Sequence, residues 1–312
     1  MNGDPRVSVV MANHNGAAHI AEAVRSVLNQ SERSLELIIS DDGSSDDSLA
    51  RADNAAQGDG RVIVMRGERQ TGPAGARNRA LRVARGSWVA IVDNDDVMEP
   101  DRLGRLVDAA EGDGADIAAD NLLTFYEDGA RQPHPHLRHL AAPVWIDAAG
   151  YAESNIVLKS GAQLGYLKPI FRRALLGTSA YEETLRIGED ADLVLRLLIE
   201  GARMRVYPEI GYRYRKHARS ISHRLTPGTI EPMLAALDRL DPGRDERLRR
   251  ALARQRSALL DARAFADLVV GLKARDLGAV LSAATRRPGS LLLLRDPMGA
   301  RLARGRARAP QA

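Results

Sequence analysis

The feature that most constrains the fold is a regular alternation between short apolar runs and stretches whose apolar residues recur at helical spacing. The apolar runs are rich in Val and Ile and occupy residues 7–11, 35–40, 62–65 and 88–92. Runs of this kind are typical of strands that are buried on both faces. Ile20, Ala23, Val24, Val27 and Leu28 form a first helical pattern, and residues 76–84 form a second one after Gly72 and Pro73. The alternation predicts an α/β fold in which helices flank a mostly parallel sheet with right-handed crossovers.

The rest of the chain divides into a continuation of this pattern and a helical end. The pattern predicts a strand over 115–120, a Pro- and His-rich loop over 132–143, a helix that begins at 188–190, and short strands over 203–207 and 210–214. From residue 230 onward the pattern is helical and rich in Arg, Ala and Leu. Because 312 residues can bury one full core and still carry an appendage, we expect an α/β domain over 1–228 and a basic helical region over 229–312.

The absence of cysteine limits the chemistry. Without cysteine the chain has no disulfide, no thiolate nucleophile and no Cys-ligated zinc or iron–sulfur site. A bound metal must then be held by oxygen or imidazole ligands, which points to Mn²⁺ or Mg²⁺.

The C-terminal region carries most of the positive charge. Residues 231–312 hold 17 Lys and Arg against 9 Asp and Glu, a net charge of +8 that leaves −4 for the rest of the chain. Such a region can bind an anionic membrane or nucleic acid, or it can simply pack on the domain. Few aromatic residues are present to stack on bases, and an apolar run lies at 291–294, so we favour peripheral contact with an anionic membrane and expect no nucleic acid partner.

No stretch approaches the roughly 20 apolar residues that span a bilayer, and the first residues lack the pattern of a signal peptide. We therefore expect a cytoplasmic protein, which contacts the inner face of the plasma membrane if the basic region binds lipid.

Polar residues follow three of the predicted strands where each strand ends. They occupy residues 12–16, 41–45 and 93–96. In parallel α/β sheets, ligands bind beyond the carboxyl ends of the strands. The three segments therefore predict one ligand site at this edge of the sheet.

Asp93, Asn94 and Asp95 are candidates for holding a cation and a diphosphate. Two carboxylates at a turn can ligate a hard cation, which neutralises the charge of a departing nucleoside diphosphate. His217 is a further candidate metal ligand. The alternatives are an acidic turn that caps a helix and, for His217, a basic surface strand.

Two other segments are candidates for binding a nucleotide. Asp41 can accept a hydrogen bond from a base N–H such as N3 of uracil, with Asn13 and the nearby backbone framing the base; the alternative is a turn with capping serines. Residues 72–78 join small residues to a helix start, which suits an anion, and Arg77 adds a positive charge; the alternative is an ordinary loop with a surface ion pair.

Glu189 and Asp190 are candidates for the catalytic base. A positioned carboxylate can take the proton of an acceptor hydroxyl, which is otherwise a poor nucleophile. Neighbouring helical residues point about 100° apart, so one of the two can be the base while the other anchors structure. The helix dipole stabilises both carboxylates whether or not they are catalytic.

Taken together, the segments 7–15, 41–44, 75–78, 93–96 and 188–190 resemble, in order and spacing, the family 2 glycosyltransferases, which have the Rossmann-like GT-A fold. The resemblance covers roughly residues 5–225. It implies an inverting, metal-dependent hexosyltransferase, with Asp190 as the likeliest base. It also implies that Asn13 and Asp41 bind the base, that Arg77 lies near the nucleotide, and that Asp93 and Asp95 contact the ribose, the diphosphate and the metal. With the neighbouring residues included, we expect the nucleotide sugar to be bound by Ala12, Asn13, Asn15, Asp41, Arg77, Asp93 and Asn94, and the metal by Asp93, Asp95 and His217.

Within this family, residues 119–122, 165–170 and 186–190 are most similar to succinoglycan-type exopolysaccharide glucosyltransferases. That subfamily uses UDP-glucose and extends a lipid-linked oligosaccharide, which implies a glycan or lipid-linked acceptor and gives Lys168 a place in acceptor binding. His14 stands where the family more often has an aromatic residue. The Q-x-x-R-W motif of processive synthases and a transmembrane helix are both absent from the sequence, so we expect addition of a single sugar. The alternative function is a non-catalytic protein that binds nucleotide sugars and has no need for Glu189 and Asp190.

Overall fold

The computed structural model describes residues 3–129, 131–157, 161–177, 180–217 and 225–290. The strands are β1 (Val7–Asn13), β2 (Leu35–Asp41), β3 (Val62–Arg66), β4 (Trp88–Asp93), β5 (Val97–Met98), β6 (Ile117–Tyr126), β7 (His134–Pro135), β8 (Val144–Ile146), β9 (Ile170–Arg172) and β10 (Met204–Lys216). The helices are α1 (Ile20–Leu28), α2 (Ser48–Ala56), α3 (Gly72–Leu81), α4 (Arg102–Asp113), α5 (Ala148–Ser154), α6 (Glu189–Ile199), α7 (Pro227–Asp238), α8 (Glu246–Ala274) and α9 (Leu277–Arg286).

The strands form one mixed sheet in the order β3-β2-β1-β4-β9-β6-β10-β5, with β7 beside β6 and β8 beside β10. The predicted parallel arrangement is confirmed for β1 to β4. Strand β9 is antiparallel to both β4 and β6, so β6 and β10 run in the same direction as β4. The carboxyl ends of the long strands therefore meet at one edge of the sheet.

The sheet centre is apolar, and its edge is not. Every residue of β2 is buried, and β1 and β4 are buried except near their carboxyl ends. The sequence predicts that the run at 62–65 is also buried on both faces. Among the described residues, however, β3 lies at the edge of the sheet and pairs only with β2, and Val64 is 42% exposed.

One strand, β10, replaces the two short strands expected over 203–207 and 210–214. Its register against β6 shifts between Tyr207 and Tyr212, which marks an irregularity around Pro208 and Gly211. Proline lacks the N–H that a strand ladder needs, and a side chain at Gly211 would collide with the carboxylate of Asp120. In the sequence, Pro208 and Gly211 indicate the end of a strand. In the structure, β10 continues through them with a local bulge.

Up to residue 290, the C-terminal region is mainly helical, as expected, and the first half of α8 is fixed to the α/β domain. Leu248, Ala251 and Leu252 belong to the main hydrophobic core, and Gln255 Nε2 donates a hydrogen bond to the Ala152 carbonyl in α5 at 2.7 Å. A second apolar cluster joins α7 to α8 through Ile230, Leu234, Leu259 and Ala262. The domain boundary at residue 228 stays a prediction, and the apolar run at 291–294 lies outside the described residues.

In the part of the chain that the structure describes, no helix combines the length and the apolar character needed to cross a bilayer.

Candidate active site

The polar segments predicted to converge lie at the carboxyl edge of the sheet. Asn13 of β1 is opposite Asp41 of β2, and Ala12 is opposite Asp93 of β4. Helices α3 and α6 contribute Arg77 and the pair at 189–190 to the same edge. The fold therefore gathers the candidate residues into three connected groups: the Asp41 group, an ion network and an acidic cluster.

The first group surrounds the carboxylate of Asp41. Asn13 is buried, and its Nδ2 lies 2.8 Å from Asp41 Oδ1 and 2.9 Å from Ser48 Oγ. Ser44 donates its backbone N–H to Asp41 Oδ2 at 3.0 Å. The turn and the base-binding role are therefore compatible, because the hydrogen bond within the turn fixes the orientation of the Asp41 carboxylate.

Asn15 and Asn94 connect this group to its surroundings. Asn15 has a positive φ of 51°, and its Oδ1 accepts a hydrogen bond from the Ser45 N–H at 2.9 Å. Asn94 donates through Nδ2 to Asn13 Oδ1 at 2.6 Å, which joins the Asp41 group to the acidic segment after β4.

Asp42 received no role from the sequence, yet it is as buried as Asp41. Its carboxylate accepts hydrogen bonds from the backbone N–H groups of Thr71 and Gly72 at 2.8 and 2.7 Å. It therefore stabilises the start of α3 and fixes that helix against the end of β2. The signal that could have found it is the helix start at Gly72 and Pro73, since unpaired N–H groups there need an acceptor.

The ion network comprises Arg77, Asp93, Lys168, Glu189 and Asp190. Arg77 Nη1 lies 2.6 Å from Glu189 Oε1 and 3.0 Å from Asp190 Oδ1, and Nη2 lies 2.9 Å from Asp93 Oδ1. Lys168 Nζ lies 2.7 Å from Asp93 Oδ2 and 3.3 Å from Asp190 Oδ2. The Arg77 side chain is only 4% exposed, so it is a buried centre of charge and not a surface ion pair.

The network shifts several pKa values. Burial alone would raise the pKa of Asp93, but the charges of Lys168 and Arg77 outweigh it and lower that pKa to about 2. Burial would likewise lower the pKa of Lys168, but Asp93 and Asp190 raise it well above its ordinary value. Burial and the neighbouring Asp190 raise the pKa of Glu189. Lys168 is thus held as a cation between two carboxylates, and its contact with an acceptor stays a prediction.

The low pKa of Asp93 predicts a pH-dependent stability. A carboxylate whose pKa falls from 3.8 to about 2 on folding stabilises the protein above pH 3.8, and this contribution is lost as the pH falls through about 2. We expect about 2 kcal/mol from Asp93 at neutral pH. The difference in unfolding free energy between wild type and Asp93→Asn should therefore shrink on acidification from about pH 5 to about pH 2.5, measured by urea unfolding. A difference that stays constant would contradict the pairing; the exposed Asp53→Asn is the control.

The acidic cluster consists of Asp93, Asp95 and Asp96. Each offers a carboxylate oxygen, and these oxygens lie within 4.8 Å of one another. Asp95 Oδ2 is 2.8 Å from His217 Nε2. Asp96 is fully buried and accepts a hydrogen bond from the Arg215 N–H at 2.7 Å.

This donor set fits a hard divalent cation, which prefers oxygen ligands and tolerates imidazole. Burial and the negative charges of Asp95 and Asp93 raise the pKa of Asp96. Because Arg77 and Lys168 already hold both oxygens of Asp93, Asp95 is the member of the predicted pair with most capacity for a metal. Asp96 lies in the predicted polar segment 93–96 but received no metal-ligand role, because its contact with the backbone of β10 is not visible in the sequence.

Comparison with known proteins gives a consistent family. A model of the family described as Glycosyl transferase family 2 matches residues 8–175. Succinoglycan biosynthesis protein ExoO of Rhizobium meliloti (strain 1021) is 37% identical over 316 residues, which cover 97% of this chain and 88% of that protein. Succinoglycan biosynthesis protein ExoU of the same organism is 39% identical over 225 residues, which cover 70% of this chain and 65% of that protein.

Solved structures give the same picture at the level of the fold. S. aureus TarS in complex with UDP-GlcNAc has a TM-score of 0.64 at 17% identity, over 90% of this chain and 91% of that chain. Mannosyltransferase PcManGT from Pyrobaculum calidifontis, in complex with GDP-Man and Mn²⁺, has a TM-score of 0.60 at 19% identity, over 95% of this chain and 82% of that chain.

Proposed function

Since this chain belongs to glycosyl transferase family 2 and has the GT-A fold, we propose that it transfers a hexose such as glucose, with inversion, from a UDP-sugar to an acceptor hydroxyl. The acceptor in this proposal is a lipid-linked oligosaccharide or polysaccharide precursor of an exopolysaccharide. The chain then works in the cytoplasm, at the inner face of the plasma membrane.

The observation that carries the proposal is the link between the predicted nucleotide end and the acid pair of α6. Arg77 contacts Asp93 with one nitrogen and both Glu189 and Asp190 with the other. A protein that only binds nucleotide sugars has no need for the buried Glu189 and the half-buried Asp190 at this point. The arrangement therefore favours a transferase over the non-catalytic alternative.

At the nucleotide end, Asp41 is the proposed acceptor for N3–H of uracil. Its Oδ2 accepts the Ser44 N–H, and a carboxylate oxygen can accept a second hydrogen bond. Asn13 holds the carboxylate from the side, with Ala12 and Asn15 next to it. Asn94 and Arg77 are proposed to contact the remainder of the nucleotide sugar.

At the other end, Asp190 is the proposed general base. The acceptor oxygen attacks the anomeric carbon, the bond to the diphosphate oxygen breaks with its electron pair leaving on UDP, and Asp190 takes the hydroxyl proton. A single displacement of this kind inverts the anomeric carbon. Arg77 and Lys168 position Asp190, because each contacts a different oxygen of its carboxylate.

Asp95 is the proposed main ligand for Mn²⁺ or Mg²⁺, with Asp93 and His217 beside it. A bound cation of this kind neutralises the charge that develops on the departing UDP.

The named relatives support the finer parts of the proposal. ExoO and ExoU are named for succinoglycan biosynthesis, which supports a glycan acceptor. TarS is solved with UDP-GlcNAc, which supports a uridine nucleotide, and PcManGT is solved with Mn²⁺, which supports a divalent cation.

The test is release of nucleoside diphosphate from a panel of UDP-, GDP- and dTDP-sugars, with Mn²⁺ or Mg²⁺ and with a membrane lipid extract as the source of acceptor. We expect turnover with a UDP-sugar. We expect Asp95→Ala to weaken the apparent affinity for the cation by at least about 10- to 100-fold, which is the loss typical of an outer-shell partner alone. Asp53→Ala, an exposed change on α2, should leave that affinity as in wild type. UDP binding without turnover on any sugar would favour the non-catalytic alternative, and turnover that ignores metal would remove Asp95 from its role.

A further inference from the structure

The end of α8 and the start of α9 expose large apolar side chains. Residues 270–281, here called the α8–α9 tip, contain four of the nine large apolar residues that are exposed in the described part of the chain. They are Val270, Leu272, Leu277 and Leu281, which are 58%, 50%, 74% and 64% exposed. Single exposed aliphatic residues are ordinary, but four within one short segment indicate a surface that meets a partner.

The local structure explains why these side chains are not buried. Helix α8 ends at Ala274, and Arg275 has a positive φ of 58° that turns the chain into α9. At the end of α8, Leu268 and Gly271 are the buried residues, while Val270 and Leu272 are exposed. Leu277 and Leu281 are four residues apart on α9, which places them on one face of the helix. These side chains therefore add nothing to the hydrophobic core.

Two cationic side chains lie among the apolar residues of the tip. Lys273 and Arg275 are exposed within the tip, where Asp276 is the only acidic residue in the sequence of this segment. Aliphatic side chains interspersed with cations suit the boundary between lipid headgroups and acyl chains.

We propose that the α8–α9 tip is the surface through which this protein binds an anionic lipid bilayer. Leu277 and Leu281 enter the interface, while Lys273 and Arg275 contact lipid phosphates. The inference deepens the proposed function, because a bilayer is where a lipid-linked acceptor is found.

Two other occupants fit the tip less well. A symmetric pair of chains would bring the same patch of each copy together and place the two sets of cations against each other. Nucleic acid would engage the cations, but it would leave the four aliphatic side chains in water. A bilayer satisfies both the charge and the apolar surface.

The test is co-sedimentation of the full chain with vesicles of phosphatidylcholine, with and without about one third phosphatidylglycerol, at low and high salt. We expect salt-sensitive binding to the anionic vesicles only. Lys273→Gln should weaken binding about fivefold, the effect of one charge near such a surface. The double change Leu277→Ser and Leu281→Ser should weaken it by about tenfold or more.

The matched control is Val64→Ser with Val83→Ser, which removes two exposed aliphatic side chains far from the tip in sequence and should leave vesicle binding unchanged. Analytical ultracentrifugation of wild type and the double leucine variant accompanies the vesicle assay. The proposal is overturned if the double leucine variant binds vesicles as wild type does, if wild type binds duplex DNA in preference to vesicles, or if wild type is a dimer that this variant dissociates.

The vesicle assay is independent of the transfer assay. A chain that turns over UDP-sugar but ignores vesicles overturns only the membrane surface. A chain that binds anionic vesicles but uses no donor overturns only the proposed function.

Discussion

Replacement of Asp190 by asparagine is expected to lower kcat for sugar transfer by about 10²- to 10⁴-fold, the usual contribution of a general base. Asparagine keeps the size of the side chain and one oxygen for Arg77, but it cannot take the acceptor proton. Binding of UDP should stay as in wild type, because the asparagine keeps an oxygen for Arg77 and the Asp41 group does not involve α6. The measurement is steady-state transfer kinetics together with calorimetric titration of UDP.

Helix α6 offers its own controls. Asp192→Asn makes the same chemical change in the first turn of this helix, where Asp192 pairs with Arg196 at 2.8 Å, and it should leave kcat largely intact. Glu189→Gln separates the two candidate bases. If Glu189→Gln abolishes transfer while Asp190→Asn does not, the roles of the two residues are exchanged; if neither lowers kcat, the acid pair is not the base.

Arg77→Met is expected to lower the free energy of unfolding by about 3–5 kcal/mol at neutral pH, the cost of breaking a buried ion pair from one side. The substitution leaves Asp93, Glu189 and Asp190 close together, with only Lys168 to balance them. It also removes the guanidinium that stacks over the ring of Tyr181, 5.4 Å from its centroid. Urea unfolding followed by circular dichroism measures the change.

Arg82→Met is the matched control for Arg77→Met. Arg82 is exposed at the end of the same helix, so removal of its charge should change stability little. A loss below about 1 kcal/mol for Arg77→Met would mean that water screens the network as it does a surface pair.

The strand-end principle predicts most of the site from the sequence. Because β1, β2 and β4 are parallel, residues that follow each strand meet at one edge, and this places Asn13, Asp41 and Asp93 together before any contact is known. Periodicity is a local property, and parallel pairing of sequential strands is common enough to infer. The helix-start pattern at 188–190 predicts helix α6, although it does not predict which residues α6 contacts.

The contacts across the site were beyond that reasoning. Arg77 and Glu189 are separated by 112 residues, and Lys168 reaches Asp93 from the segment before β9. Nothing in local spacing distinguishes a buried arginine at the centre of three carboxylates from one in a surface pair. The burial of Asp96 was not predicted for a similar reason, since its carboxylate contacts the backbone N–H of Arg215 in β10.

The packing of α8 has a consequence for how this chain can be divided. The match to the family ends at residue 175, while the main core continues through Leu248, Ala251 and Leu252. The segment that the family model matches is therefore shorter than the segment that contributes to the main core. Glu189 and Asp190 lie outside the matched segment but before the last core residues, and Arg77 connects them to the matched segment. Grafting residues 8–175 alone onto another protein would move the proposed nucleotide end of the site without the proposed proton acceptor.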